Sequence, residues 1–177
     1  MIDLRAAGVA ESPVEADIES FDTFEENALA KARYFHARTG RPTLADDSGL
    51  EVAALGGRPG VHSKRWSGRD DLSGGELDAE NNRLLLASLA GAPDRDARYV
   101  CAAAFADGGR ELVVRGSVEG RITDEPSGSH GFGYDPYFFS TELGRTFGVA
   151  SIEEKATVSH RARAFRALLK AIAEGGR

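Results

Sequence analysis

Residues 98–120 read RYVCAAAFADGGRELVVRGSVEG, two apolar runs on either side of Asp107-Gly108-Gly109. Asp-Gly and Gly-Gly between extended runs are a strong hairpin signal, because they supply the positive φ that a tight antiparallel connection needs. Around this hairpin the period is helical. Upstream, DTFEENALAKARYFHARTG sets Phe24, Ala28, Ala32 and Phe35 at helical spacing. Thr23 is its predicted N-cap, Glu26 the partner in a capping box, and Gly40 its stop. A second helix is predicted from Glu76 to Leu89, and a closing one from Ser159, where Phe165, Leu168, Leu169 and Ile172 form an apolar stripe. Between the first two helices, Pro42 introduces a short strand, TLA, predicted to end at Asp46-Asp47-Ser48-Gly49. LEVAAL is a second extended piece ahead of the loop GGRPG. Alternating helices and strands with one antiparallel hairpin imply an α/β fold with a mixed sheet, one domain over residues 1–177 or two lobes around one sheet.

The formal net charge of −6 and a pI of about 5.3 argue against a nucleic acid polymer as partner, since backbone binding needs a basic surface. The charge is uneven. No acid lies between Glu51 and Asp70, whereas Arg58, His62, Lys64, Arg65 and Arg69 gather there, an arrangement suited either to a small anion or to a solvated loop. The single cysteine, Cys101, excludes an intramolecular disulfide, and its apolar run predicts a buried, inert thiol. MIDLRAAGVAESP carries early acids and no apolar core of a signal peptide, and no window matches a membrane span, so a cytoplasmic protein is expected.

Three segments carry the chemistry. In LADDSGLEV, successive strand side chains point to opposite faces, so Asp46 and Asp47 share a cleft only if the strand has ended. One is then a ligand or base and the other braces the turn. Acids at a strand end suit Mg2+, which takes one or two carboxylates, although Asp, Ser and Gly are also ordinary turn residues. In HGFGYDPYFF, Gly131 and Gly133 allow close backbone approach, while Phe132 and Tyr134 offer flat faces for a base or for a hairpin core. Lys155, His160 and Arg161 surround the start of the closing helix. Cations there oppose the helix dipole, which points to an anion or an array of acceptors in front of them.

Taken in order, TFEENALAKA, ADDSGLEV, GGRPGVHSKRWSG, the Asn81-Asn82 pair, GFGYDP and EEKATVSHR resemble the inosine triphosphate pyrophosphatase family, the XTP/dITP diphosphatases. The resemblance runs from Thr23 to the last helix. It implies two lobes around a long twisted sheet flanked by helices, with a cleft between them, and usually a homodimer. It implies hydrolysis of ITP, dITP or XTP to the monophosphate and pyrophosphate, with Mg2+ as cofactor. Asp47 would be the catalytic carboxylate and a metal ligand, with Glu26 the second metal carboxylate. Ser48 would contact the nucleotide, Phe132, Gly133, Tyr134 and Asp135 the purine, and Lys155, His160 and Arg161 would read the base. Arg58, Lys64 and Arg65 are expected to attract phosphates from their charge alone.

Members of that family open with a T/S-x-N-x-x-K block that cradles the triphosphate. This chain, whose asparagines are Asn27, Asn81 and Asn82, begins instead in what looks like the following strand, IDLRAAG. The expectation is a start placed downstream of a missing strand and short helix. The rival expectation is a nucleotide-binding remnant with impaired catalysis.

Overall fold

The computed structural model describes residues 18–175. The strand expected over residues 2–8 lies outside them. Helix α1 (Phe24–Thr39) leads into strand β1 (Thr43–Val52), followed by 3-10 turns at Ala53–Leu55 and Gly60–Arg65 and by helix α2 (Gly74–Ser88). Strands β2 (Asp96–Ala106), β3 (Glu111–Ile122), β4 (Phe138–Ser140) and β5 (Arg145–Thr146) come next, and helices α3 (Ile152–Val158) and α4 (His160–Glu174) close the chain.

The caps of α1 fall where expected. Thr23 Oγ1 accepts from the Glu26 amide at 3.2 Å, and Gly40 stops the helix in the left-handed region at φ 64°. The β2–β3 hairpin also forms as read, pairing Asp96 with Arg121 through to Ala106 with Glu111.

Two expectations change. The strand does not end at Asp46-Asp47-Ser48-Gly49. β1 runs through these residues and pairs antiparallel with β2 from Thr43–Ala106 to Val52–Ala97. Asp47 sits opposite Ala102 and Gly49 opposite Val100, so the ladder with a well-packed neighbour overrides the turn preference of the residues. Gly49 is there for close approach, since a Cβ would collide with Gly60 O and Ser63 Oγ of the following 3-10 turn. The second change concerns the sheet. Among the described residues its order is β1-β2-β3-β4-β5 and every pairing is antiparallel, where a mixed sheet was predicted. The helices cover its faces without serving as crossovers between parallel neighbours.

Side chains alternate along β2 and divide the core between two layers. Val100, Ala102, Ala104 and Ala106 face α1 and meet Phe24, Ala28 and Ala32. Cys101, Ala103 and Phe105 face α4 and meet Ala164 and Leu168. The small residues of β2 let both helices lie close to the sheet. Gly116 of β3 does the same for α4, because a Cβ there would stand 2.5 Å from His160 O and from Ala164 N. A third cluster, with Leu50, Leu85, Tyr99, Val118, Phe138 and Phe147, fills the space under α2 and the short strands. Among the described residues no helix is long and apolar enough to cross a membrane.

Candidate active site

Because β1 is continuous, its two adjacent aspartates point to opposite faces of the sheet, and each has its own set of partners. Asp47 faces α1. Its Oδ2 accepts from Asn27 Nδ2 at 3.1 Å and its Oδ1 pairs with Lys31 Nζ at 3.1 Å. Asn27 and Lys31 are four residues apart, hence on one face of the helix. Asn27 is buried and fully used, since its amide also exchanges hydrogen bonds with the Phe21 backbone at 3.0 and 3.2 Å. Lys31 reaches a second acid, Glu19 Oε1, at 2.9 Å. Arg65 Nη2 donates to the Glu19 carbonyl at 3.2 Å.

The Asp47 side chain is 12% exposed, and burial lifts its carboxyl above the ordinary aspartate range. Lys31 and Asn27 pull it back down, and the charge of Glu19 pushes it up. The outcome is an oriented carboxylate more basic than a surface aspartate, the property a general base requires.

Glu26 was the expected second metal carboxylate. Its Oε2 accepts from Thr23 Oγ1 at 2.7 Å at the exposed helix start. The acid that shares Lys31 with Asp47 is Glu19. Sequence reasoning missed Glu19, Asn27 and Lys31, although the four-residue spacing of Asn27 and Lys31 on the Ala28–Ala32 side of α1 was a usable signal.

Asp46 faces α4. Its Oδ2 accepts from Arg161 Nε at 3.0 Å, from Ser48 Oγ at 3.0 Å and from Cys101 Sγ at 3.6 Å. The Cys101 thiol is buried and pushed up to about 12, so it is inert as expected. Beside Arg161, the His160 ring stacks on Tyr99 at 4.8 Å between centroids. Burial, then the charges of Arg161 and Lys155, lower His160 to about 3, so the imidazole is neutral. Its Nδ1 is buried with no hydrogen-bond partner among the described residues.

Lys155 is pinned by the buried Asp135 carboxylate, which also accepts from the Phe132 amide at 2.9 Å. Its ammonium lies 5.2 Å from the Phe132 ring centre and 5.0 Å from that of Phe147. Lys155 is presented by α3, a helix the sequence reading did not predict. The signal was available, since Ser151 and Glu154 form a reciprocal capping box. Phe132 is 67% exposed, whereas Tyr134 is buried and donates to the Ser63 carbonyl at 2.7 Å. Of the two expected flat faces, one is therefore presented and the other anchors the loop. Helix α2 grips Gly133 at both ends: its amide donates to Asp78 Oδ2 at 2.8 Å and its carbonyl accepts from Asn82 Nδ2 at 2.9 Å. Of the expected phosphate-attracting cations, Arg65 lies beside Glu19, while Arg58 turns to the Leu55 carbonyl and the Trp66 ring.

The Ham1 family model matches residues 2–171. The chain belongs to the Ham1 family. It is 52% identical over 164 residues to the dITP/XTP pyrophosphatase of Mycolicibacterium paratuberculosis, covering 91% of this chain and 78% of that protein. It is 50% identical over 157 residues to the dITP/XTP pyrophosphatase of Thermus thermophilus, covering 86% and 72%. Among solved structures, the Ham1 protein of Staphylococcus aureus superposes with a TM-score of 0.80 at 39% identity, covering 90% of this chain and 80% of that one. A HAM1 protein from Coxiella burnetii gives a TM-score of 0.80 at 37% identity, covering 90% and 84%. The α/β fold and the family resemblance drawn from the ordered sequence blocks are both borne out.

Proposed function

We propose that the chain hydrolyses deaminated purine nucleoside triphosphates, dITP, ITP and XTP, to the monophosphate and pyrophosphate. Its 50–52% identity to proteins named dITP/XTP pyrophosphatases supports the reaction class. The observation that carries the reading is the half-buried Asp47 carboxylate, fixed by Asn27 and Lys31 and raised in basicity by desolvation.

Asp47 accepts a proton from a water molecule as the water oxygen bonds to phosphorus. The bond between the α and β phosphates breaks, and the bridging oxygen leaves with pyrophosphate. Lys31 and Arg65, on the same side as Asp47 and Glu19, attract the phosphates. A divalent cation fits beside them, because Asp47 and Glu19 already converge on one cationic group, the Lys31 ammonium, at 3.1 and 2.9 Å. Asp47 and Glu19 would hold it, with Mg2+ the natural choice for a carboxylate and phosphate ligand set. When bound, it would neutralise charge on the phosphate oxygens and orient them.

The purine reading falls to the other face. Hypoxanthine and xanthine carry a 6-keto oxygen where adenine carries an amino group. The Lys155 and Arg161 donors favour the acceptor, and a donor left facing an amino group loses about 1–3 kcal/mol or more. Phe132 supplies a stacking face. A homodimer belongs to the same reading and is tested by sedimentation.

The deciding assay follows monophosphate and pyrophosphate release from dITP, XTP, dATP and dGTP with added Mg2+. Turnover of dITP and XTP well above that of dATP is expected. Equal turnover of dITP and dATP, or no pyrophosphate from folded protein, would overturn the reading.

A further inference from the structure

Asp46 has no part in the reaction just described, yet it is the best-connected acceptor on the α4 face. One oxygen collects the Arg161 guanidinium, the Ser48 hydroxyl and the Cys101 thiol. Its neighbour Asp47 points through the opposite face, so Asp46 does not reach the water that Asp47 would activate. The pair with Arg161 is also a poor stability device. The Arg161 side chain is 51% exposed, and ion pairs of that kind contribute little to folding. What the contact does accomplish is geometric. Arginine has five N–H donors in one plane, and only Nε is engaged, so both terminal nitrogens remain without a protein partner among the described residues.

A pinned guanidinium discriminates differently from a mobile one. Free to swing, Arg161 would donate to a keto oxygen and move aside for an amino group. Held in one plane, it keeps presenting donors, and a donor facing an amino group is penalised. We propose that Asp46 is a positioning residue that sets base preference by holding the Arg161 guanidinium in a fixed plane. This inference rests on the reading of Arg161 as a base-facing donor. Ser48, whose hydroxyl is spent on the same oxygen, serves the nucleotide by orienting Asp46. The Asp46–Arg161 contact ties α4 to β1 from one side, as the close seat of α4 on Gly116 ties it to β3 from another.

The test compares wild type, Asp46→Asn, Arg161→Ala and the double variant, with kcat and KM measured separately for dITP and dATP. Asp46→Asn is isosteric and keeps an acceptor, so the strand is retained. It is expected to lower the dITP-over-dATP ratio of kcat/KM about tenfold, mainly through a higher KM for dITP. In the Arg161→Ala background the same change is expected to alter that ratio less than about twofold, because the residue it acts through is gone. An unaltered ratio in Asp46→Asn overturns the proposal, as does an equal drop in both backgrounds or a loss confined to kcat.

A second readout needs no turnover. The Arg161 Nε–H signal in 15N NMR is expected to be slowly exchanging in wild type and exposed in Asp46→Asn, and identical exchange in the two overturns the proposal. Wild type that neither hydrolyses nor binds dITP would defeat the proposed function instead, and the NMR comparison would still decide the pairing.

Discussion

The two faces of β1 solve opposite problems with the same kinds of residue. On the α1 side an acid is the working group and donors hold it: Asp47 is fixed by Asn27 and Lys31. On the α4 side cations are the working groups and acids hold them: Arg161 by Asp46, Lys155 by Asp135. The first arrangement conserves a carboxylate's basicity in a half-buried place, and the second leaves donor atoms directed outward. Asp46 and Asp47, chemically identical neighbours, take different roles because a continuous strand sends them to different partners.

Replacing Asp47 by Asn should remove the proton acceptor, and dITP hydrolysis at saturating Mg2+ is expected to fall on the order of 10²–10⁴-fold. The fold should not suffer. The Asp47 carboxyl is raised on folding, so its ionised form costs stability above the unfolded value, and the neutral amide avoids that cost. A melting temperature equal to or above that of wild type is the expected companion result. Turnover comparable to wild type would break the assignment.

Gly116→Ala tests how α4 is seated. The added Cβ would stand 2.5 Å from the α4 backbone at His160 and Ala164, so the helix must shift. Overpacking of this kind costs about 1–3 kcal/mol, readable by urea denaturation. Since Arg161 moves with the helix, base preference should weaken, while the dependence of rate on the Asp47 side is retained.

The smallest effect concerns His160. Its folded value of about 3 lies below the ordinary 6.5, so the unfolded chain binds the extra proton between these limits. Its burial is therefore neutral for stability above pH 6.5 and increasingly unfavourable as pH falls toward 3. His160→Gln should flatten that part of the stability profile measured by denaturation at a series of pH values, and an unchanged slope would show that the ring titrates normally.

The caps of α1, the β2–β3 hairpin and the aromatic loop were legible because each depends on a few neighbouring residues: Thr23 and Gly40, Asp107 to Gly109, Gly131 to Asp135. Asp46 to Gly49 misled because turn-forming residues were placed in a strand whose ladder partners lie more than fifty residues away, from Val100 to Ala103. The site showed the same divide. Asp47 and Arg161 stood out by motif, whereas Glu19 joins Asp47 only through Lys31, a contact created when α1 lies on the sheet. Phe132 and Tyr134 look alike in sequence. What separates the buried ring from the exposed one is created by folding: the Ser63 carbonyl that accepts from Tyr134 and the apolar cluster with Leu50 and Leu85 that packs around it.

The division of labour between the faces is tested most directly by kcat/KM for dITP and dATP across pH in wild type, Lys31→Met and Arg161→Ala. Lys31 lowers the Asp47 carboxyl, so removing it should raise that group further and move the acid limb of the rate profile to higher pH. The dITP-over-dATP ratio should stay as in wild type. Arg161→Ala should reduce the ratio and leave the acid limb where it was. A variant on either face that moves both the limb and the ratio would contradict the account.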